Sequence, residues 1–330
     1  MTGSPPATVI ASMSRVDRAT GRLARDSDRK LRATSRRRAT RTDVEAQQRL
    51  HSRLTEIHKV TPKRVDWDRI LAEGPVVPAI ARDAMSAAAR RKLSEYRPSL
   101  MDSLLGVERE KRRELTEKVI EAAKADAELW ARAKAEADTH NRLLALAPGV
   151  RALQVEAIAG ALKVQGVAMN LKDIVEGLTI HQPTPERLVA RVDLLEFDAL
   201  PDETCLSGAT SATWLGMSPA ERADLQLTNA CSVVLRVAVE LLQVVSVEAA
   251  EVVARVCRPG GLTEADMQPV LHVKVPTAVL AKLQLRKLDA GPAAAALGAR
   301  MAWTPGHGLG PIDIEQVGLG ALRAPSIQAA

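Results

Sequence analysis

The chain has 330 residues, of which 46% are hydrophobic and only 2% aromatic, and a formal net charge of +6. That suffices for a core, which must be aliphatic, but leaves too few rings for an aromatic cage or a base-stacking platform. Three cysteines, Cys205, Cys231 and Cys257, make no CxxC pair; read as reduced buried thiols, they point to the cytoplasm, with neither a membrane span nor a signal peptide expected.

Residues 1–14, with Pro5 and Pro6, carry no charged side chain and read as disordered. Residues 15–41 hold eleven Lys or Arg against three Asp, so the rest of the chain is close to neutral. Within that stretch Arg15, Arg18, Arg22, Arg25, Arg29, Arg32 and Arg36 recur at alternating intervals of three and four. On a helix they form one cationic ridge, while Val16, Leu23 and Leu31 are too few to bury the other faces. Residues 1–42 are therefore expected to be a basic arm, disordered or partly helical. Such an arm either waits for a polyanion or lies on the acidic residues of the long helix further on.

Residues 43–149 read as an extended helical region. Thr42 and Asp43 suit an N-cap for a helix reaching about Val60, and a short amphipathic piece covers Val65 to Leu71. Gly74-Pro75 breaks the chain, and a helix over 79–97 stops at Pro98. From Val107 to Leu146 runs one long charged helix with acid-first pairs such as Glu108 with Arg112 and Glu114 with Lys118. Its thin stripe of Leu115, Val119, Ala122 and Leu129 suits a helical hairpin or a coiled-coil seam, hence a homo-oligomer through this helix. Pro148-Gly149 is expected to close it.

Residues 150–330 read as an α+β domain in the order ββαββαα, with an antiparallel or mixed sheet. After short helices over 150–180, alternation around Leu188, Val192 and Leu194 marks a strand. Cys205 to Leu215 reads as a second strand. Ser218-Pro219 opens the central helix, with Arg236 and Glu240 expected to pair on its outer face. Two strands, 251–256 and 270–275, flank a turn at Pro259-Gly260-Gly261, and helices over 276–285 and 293–301 precede a Gly/Pro-rich tail.

The chemistry is mostly negative. P-loop, HExxH, GxSxG and DxDxDG patterns are absent, and Gly306 to Gly310 reads as a turn. No cofactor and no metal site is expected. Asp193, Glu196, Asp198, Asp202 and Glu203 read as a solvent-facing strand edge, where charge discourages edge pairing. Together with His272, Asp193 and Glu196 form the alternative polar site an enzyme would use.

Three runs carry a resemblance: Cys231 to Ala238, Gln268 to Pro276, and Leu283 to Asp289. They resemble a family of bacterial proteins with a helical N-terminal arm, a C-terminal α/β domain and no assigned activity. Tyr96 to Leu100 and Asp102 to Gly106 resemble its middle segment, and the likeness covers roughly residues 45–315. It implies architecture and transfers no catalytic residue.

The expected function is a non-enzymatic cytoplasmic binding or assembly protein that engages nucleic acid, an acidic protein or another polyanion through the arginine ridge. The alternatives are an enzyme with a site around Asp193, Glu196 and His272, and a self-associating scaffold built on the 107–146 helix.

Overall fold

The structure is a computed structural model that describes residues 5–34, 38–60, 62–98, 106–181, 183–207, 212–280, 282–315 and 319. It is an α+β protein of two compact units, residues 66–147 forming one and residues 1–65 with 148–330 the other. The N-terminal stretch thus folds as part of the sheet unit instead of forming a separate arm.

Local signals explain why. Strand β1 (Ala7–Ile10) follows the two prolines and pairs antiparallel along residues 178–180, burying Val9. Helix α1 (Arg15–Thr34) opens on a capping box: the Ser14 hydroxyl accepts from the Asp17 amide, and the Asp17 carboxylate accepts from the Ser14 amide, both at 3.2 Å. Strand β2 (Arg38–Ala39) leads to α2 (Arg41–Thr55), which Thr40 and Asp43 cap in the same way.

The smaller unit is a helical hairpin. Helix α3 (Trp67–Glu73) ends at Gly74, whose φ of +64° favours glycine, and α4 (Ala84–Glu95) and α5 (Glu108–Arg151) follow. On α5, Asp126 accepts from the Met85 and Ser86 amides at the start of α4, and Asn141 exchanges two hydrogen bonds with the Val76 backbone. Arg82 stacks over Trp130 at 4.4 Å. Pro148 does not close α5: lacking an N–H, it forfeits one hydrogen bond near the end of the helix, and the turn continues to Arg151.

In the larger unit α6 (Val155–Val164) and α7 (Val167–Leu171) precede β3 (Val175–Ile180) and β4 (Arg187–Leu194). Strand β3 replaces the helix expected there. A hairpin of β5 (Glu203–Ser207) and β6 (Ala212–Gly216), where one strand was expected, pairs with β2 in a small sheet of order β2-β6-β5. Then come α8 (Pro219–Val244), β7 (Ala249–Cys257), β8 (Met267–Pro276), α9 (Thr277–Leu280) and α10 (Ala290–Ala296). Strands β9 (Arg300–Thr304) and β10 (Gly308–Gly310) form a hairpin within the Gly-rich tail.

The main sheet has the order β1-β3-β4-β7-β8-β9-β10, antiparallel except where β4 runs parallel to β7 across the α8 crossover. Period-two alternation gives it two different faces. Leu188, Ala190, Val192 and Leu194 of β4 with Ala250, Val252 and Ala254 of β7 form the aliphatic face under α8. The other face carries Arg187, Arg191, Asp193, Glu251, Arg255 and His272, with apolar cover from Val189, Val253, Ile314 and Leu319. Helix α8 is long and apolar enough to cross a membrane, but 83% of that window is buried in the fold. Arg236 and Glu240 do not lie on its outer face. They are buried and paired with each other, and Arg236 also donates to the Val60 carbonyl, so the charges are neutralised inside.

Candidate functional site

Six of the seven ridge arginines lie along α1, with Arg15 exposed at the helix start, and Arg36 lies outside the described residues. Beyond Arg15, the described ridge arginines turn toward acidic residues of their own unit. The ridge's five middle members meet five carboxylates of the sheet unit.

The carboxylates come from β3 and from the segment that leaves β4. Glu176 sits in β3, while Glu196, a 3-10 turn over Phe197–Ala199, Asp202 and Glu203 lead into β5. Arg222 of α8 braces that turn, donating to the Phe197 carbonyl at 3.0 Å and stacking on the Phe197 ring at 4.5 Å.

The pairing follows the helix. Arg18 donates to Glu176 at 3.2 Å, with side-chain exposures of only 2% and 4%. Arg22 grips Glu196 with two bonds, at 2.9 and 2.7 Å, and Arg25 adds a third at 2.9 Å. Arg29 reaches Asp202 at 3.1 Å and the Asp198 carbonyl at 2.9 Å, and Arg32 bridges Asp202 and Glu203 at 3.2 Å each. Bidentate guanidinium–carboxylate contacts of this kind are among the stronger hydrogen bonds a protein makes. The hydrogen bond from Arg22 to Glu196 raises the pKa of Arg22, whereas burial raises that of Glu176 against the pull of Arg18.

The helix is therefore mounted inside out. Val16, Leu23 and Leu31 are 68%, 69% and 68% exposed. A cleft of about 290 Å³ runs beside the outer half of the ion-pair row, lined by Arg25, Arg29, Arg32, Leu54, Asp202 and Trp214.

The alternative trio does not converge on a shared pocket. Asp193 is buried, accepts from Arg255 at 2.8 Å and takes the Ser12 hydroxyl at 2.9 Å. Gly177 makes room for that Ser12 contact, since a Cβ there would lie 2.7 Å from the hydroxyl. Glu196 is held by Arg22 and Arg25 of α1. His272 faces Glu251 at 3.8 Å, beside Lys274. Asp193 and Glu196 are not at a solvent-facing strand edge but buried against arginines, whereas Asp198 is exposed. Glu176, Arg191, Glu251, Arg255 and Glu264 are the polar residues that spacing alone did not single out. The Ser14-x-x-Asp17 box was the one local sign that α1 begins as a defined helix. Among the described residues, no three His, Cys, Asp or Glu side chains gather as a metal would need.

No family model, curated protein or solved structure matches the chain. The roles of the residues above rest on geometry.

Proposed function

We propose that the protein is a cytoplasmic, non-enzymatic binding and assembly protein in which α1 is a charge-held strap. Nucleic acid or another polyanion competes with the protein's own acidic row for the arginine ridge. One observation carries this reading: α1 docks through ion pairs and turns Val16, Leu23 and Leu31 to solvent. Little apolar burial holds it, so the main attraction to be replaced is the kind a phosphate backbone offers. Strand β1 keeps the strap tethered, and the outer pairs at Arg29 and Arg32 are partly exposed along the cleft.

The test is binding to random duplex DNA across a salt series. The double variant Glu196→Gln/Asp202→Asn, which weakens the internal competitor, is expected to bind about tenfold tighter, equivalent to ~1.4 kcal/mol. Arg29→Gln/Arg32→Gln is expected to bind more weakly with a shallower salt slope. Equal affinity of all three chains, or no binding at low salt, overturns the proposal. Self-association through α5 is a second reading, favoured by Ile120 exposed on that helix. A monomeric mass by light scattering ends it.

A further inference from the structure

The polar face of the main sheet raises a separate question. In an aliphatic protein the row through the middle of a sheet is usually Val, Ile or Leu, yet here Arg191 and Arg255 are 3% and 2% exposed. Burying a guanidinium is costly unless every donor finds an acceptor. Arg255 satisfies Nε through Asp193, at 2.8 Å, and Nη1 through Glu264, at 2.7 Å, while its Nη2 lies 2.7 Å from Asp193 without a hydrogen bond. Arg191 is held less well. Its Nη2 lies 3.5 Å from the same Glu264 oxygen that Arg255 already holds, and its Nε is buried without a hydrogen-bond partner.

His181 completes the cluster. Its amide bonds to the Val189 carbonyl, which puts it at the end of β3 beside the β4 residues that carry Arg191. Its Nε2 is likewise buried without a partner. Burial, then Arg191 and Arg255, push its pKa down to about 4. Burial and Arg255 also lower the pKa of Arg191. The other charges on this face include Asp193 and Glu264 and, further along β7, Glu251 with Arg187, His272 and Lys274 gathered around it and Arg300 opposite His272. Glu264 comes from a surface turn and is itself partly exposed. The surroundings of Arg191 are short of one acceptor.

We infer that Arg191, His181 and Arg255 form a binding site for a small oxyanion, a phosphoryl or carboxylate group, on the polar face of the sheet. Arg191 supplies the unused Nε–H of a planar fork suited to two oxygens, and His181 supplies a second donor once protonated. The anion takes the acceptor position that Glu264 fills at long range. Binding carries a proton with it: the incoming charge offsets both arginines, so His181 gains a proton at a pH where the empty protein leaves it neutral.

Calorimetry on the full chain at pH 6 tests this, with sulfate as the phosphoryl-type probe of fixed charge and acetate as the carboxylate probe. Repeating each titration in buffers of different ionisation enthalpy counts the protons taken up. One saturable site per chain is expected, with proton uptake that His181→Gln abolishes. Affinity should fall at least tenfold in Arg191→Met, an apolar replacement that leaves no charge buried, and stay unchanged in the surface control Arg258→Met. Whichever probe saturates identifies the ligand class. Absence of saturable binding by both probes, or binding untouched by Arg191→Met, overturns the inference. Because Arg191 lies outside α1, failure here leaves the strap reading standing, and failure of the strap leaves this site standing.

Discussion

Arg22 closes on Glu196 through two parallel hydrogen bonds, at 2.9 and 2.7 Å, across 174 positions of sequence. Leu23, the next residue, is 69% exposed. The pair inverts the usual logic of a surface helix, in which apolar side chains dock and charged ones face water.

The inversion has a direct consequence for stability. Leu23→Ser and Leu31→Ser are expected to change unfolding free energy by no more than ~0.5 kcal/mol, as for ordinary surface positions. Urea denaturation checks this. A loss of ~2 kcal/mol or more at either site would place these side chains in a core and contradict the mounting of α1.

Arg18 and Glu176 behave differently from the outer pairs because both are buried. Arg18→Met should cost about 3 kcal/mol or more, since it strands a carboxylate away from water. Adding Glu176→Gln should recover most of that loss, whereas two independent defects would simply sum. A double-mutant cycle by denaturant titration distinguishes the outcomes.

His181 sets a pH dependence whose sign is fixed. Its folded pKa of about 4 lies below the ordinary 6.5, so the unfolded chain takes up the proton first. Stability is therefore retained above about 6.5 and lost as pH falls toward 4, by an amount approaching ~3 kcal/mol. His181→Gln should flatten that part of the stability–pH curve relative to the native chain, and equal curves would contradict the burial described.

How much of this was legible in the sequence depended on the range of the interactions. The Ser218-Pro219 start of α8 and the turn between β7 and β8 are local signals, and each gave the element found, while the three-four arginine spacing gave the face of α1 but only a partial helix. Strand β3 was missed because Glu176 and Gly177 read as poor strand residues. One is neutralised by an arginine 158 positions earlier, and the other makes room for Ser12. The acids after Asp193 were placed at a solvent edge for the same reason, since their partners lie about 170 positions away. Arg236 and Glu240 carried no local sign that the Ile57–Val60 segment would cover them.

The central claim is that charge, and little else, holds α1. Hydrogen exchange over residues 18–32, followed while duplex DNA is titrated at low salt, addresses it most directly. The account predicts that amide protection in α1 falls as DNA binds while α8 keeps its own, and that added salt alone weakens α1 before the core. Full protection of α1 at saturating DNA would contradict it.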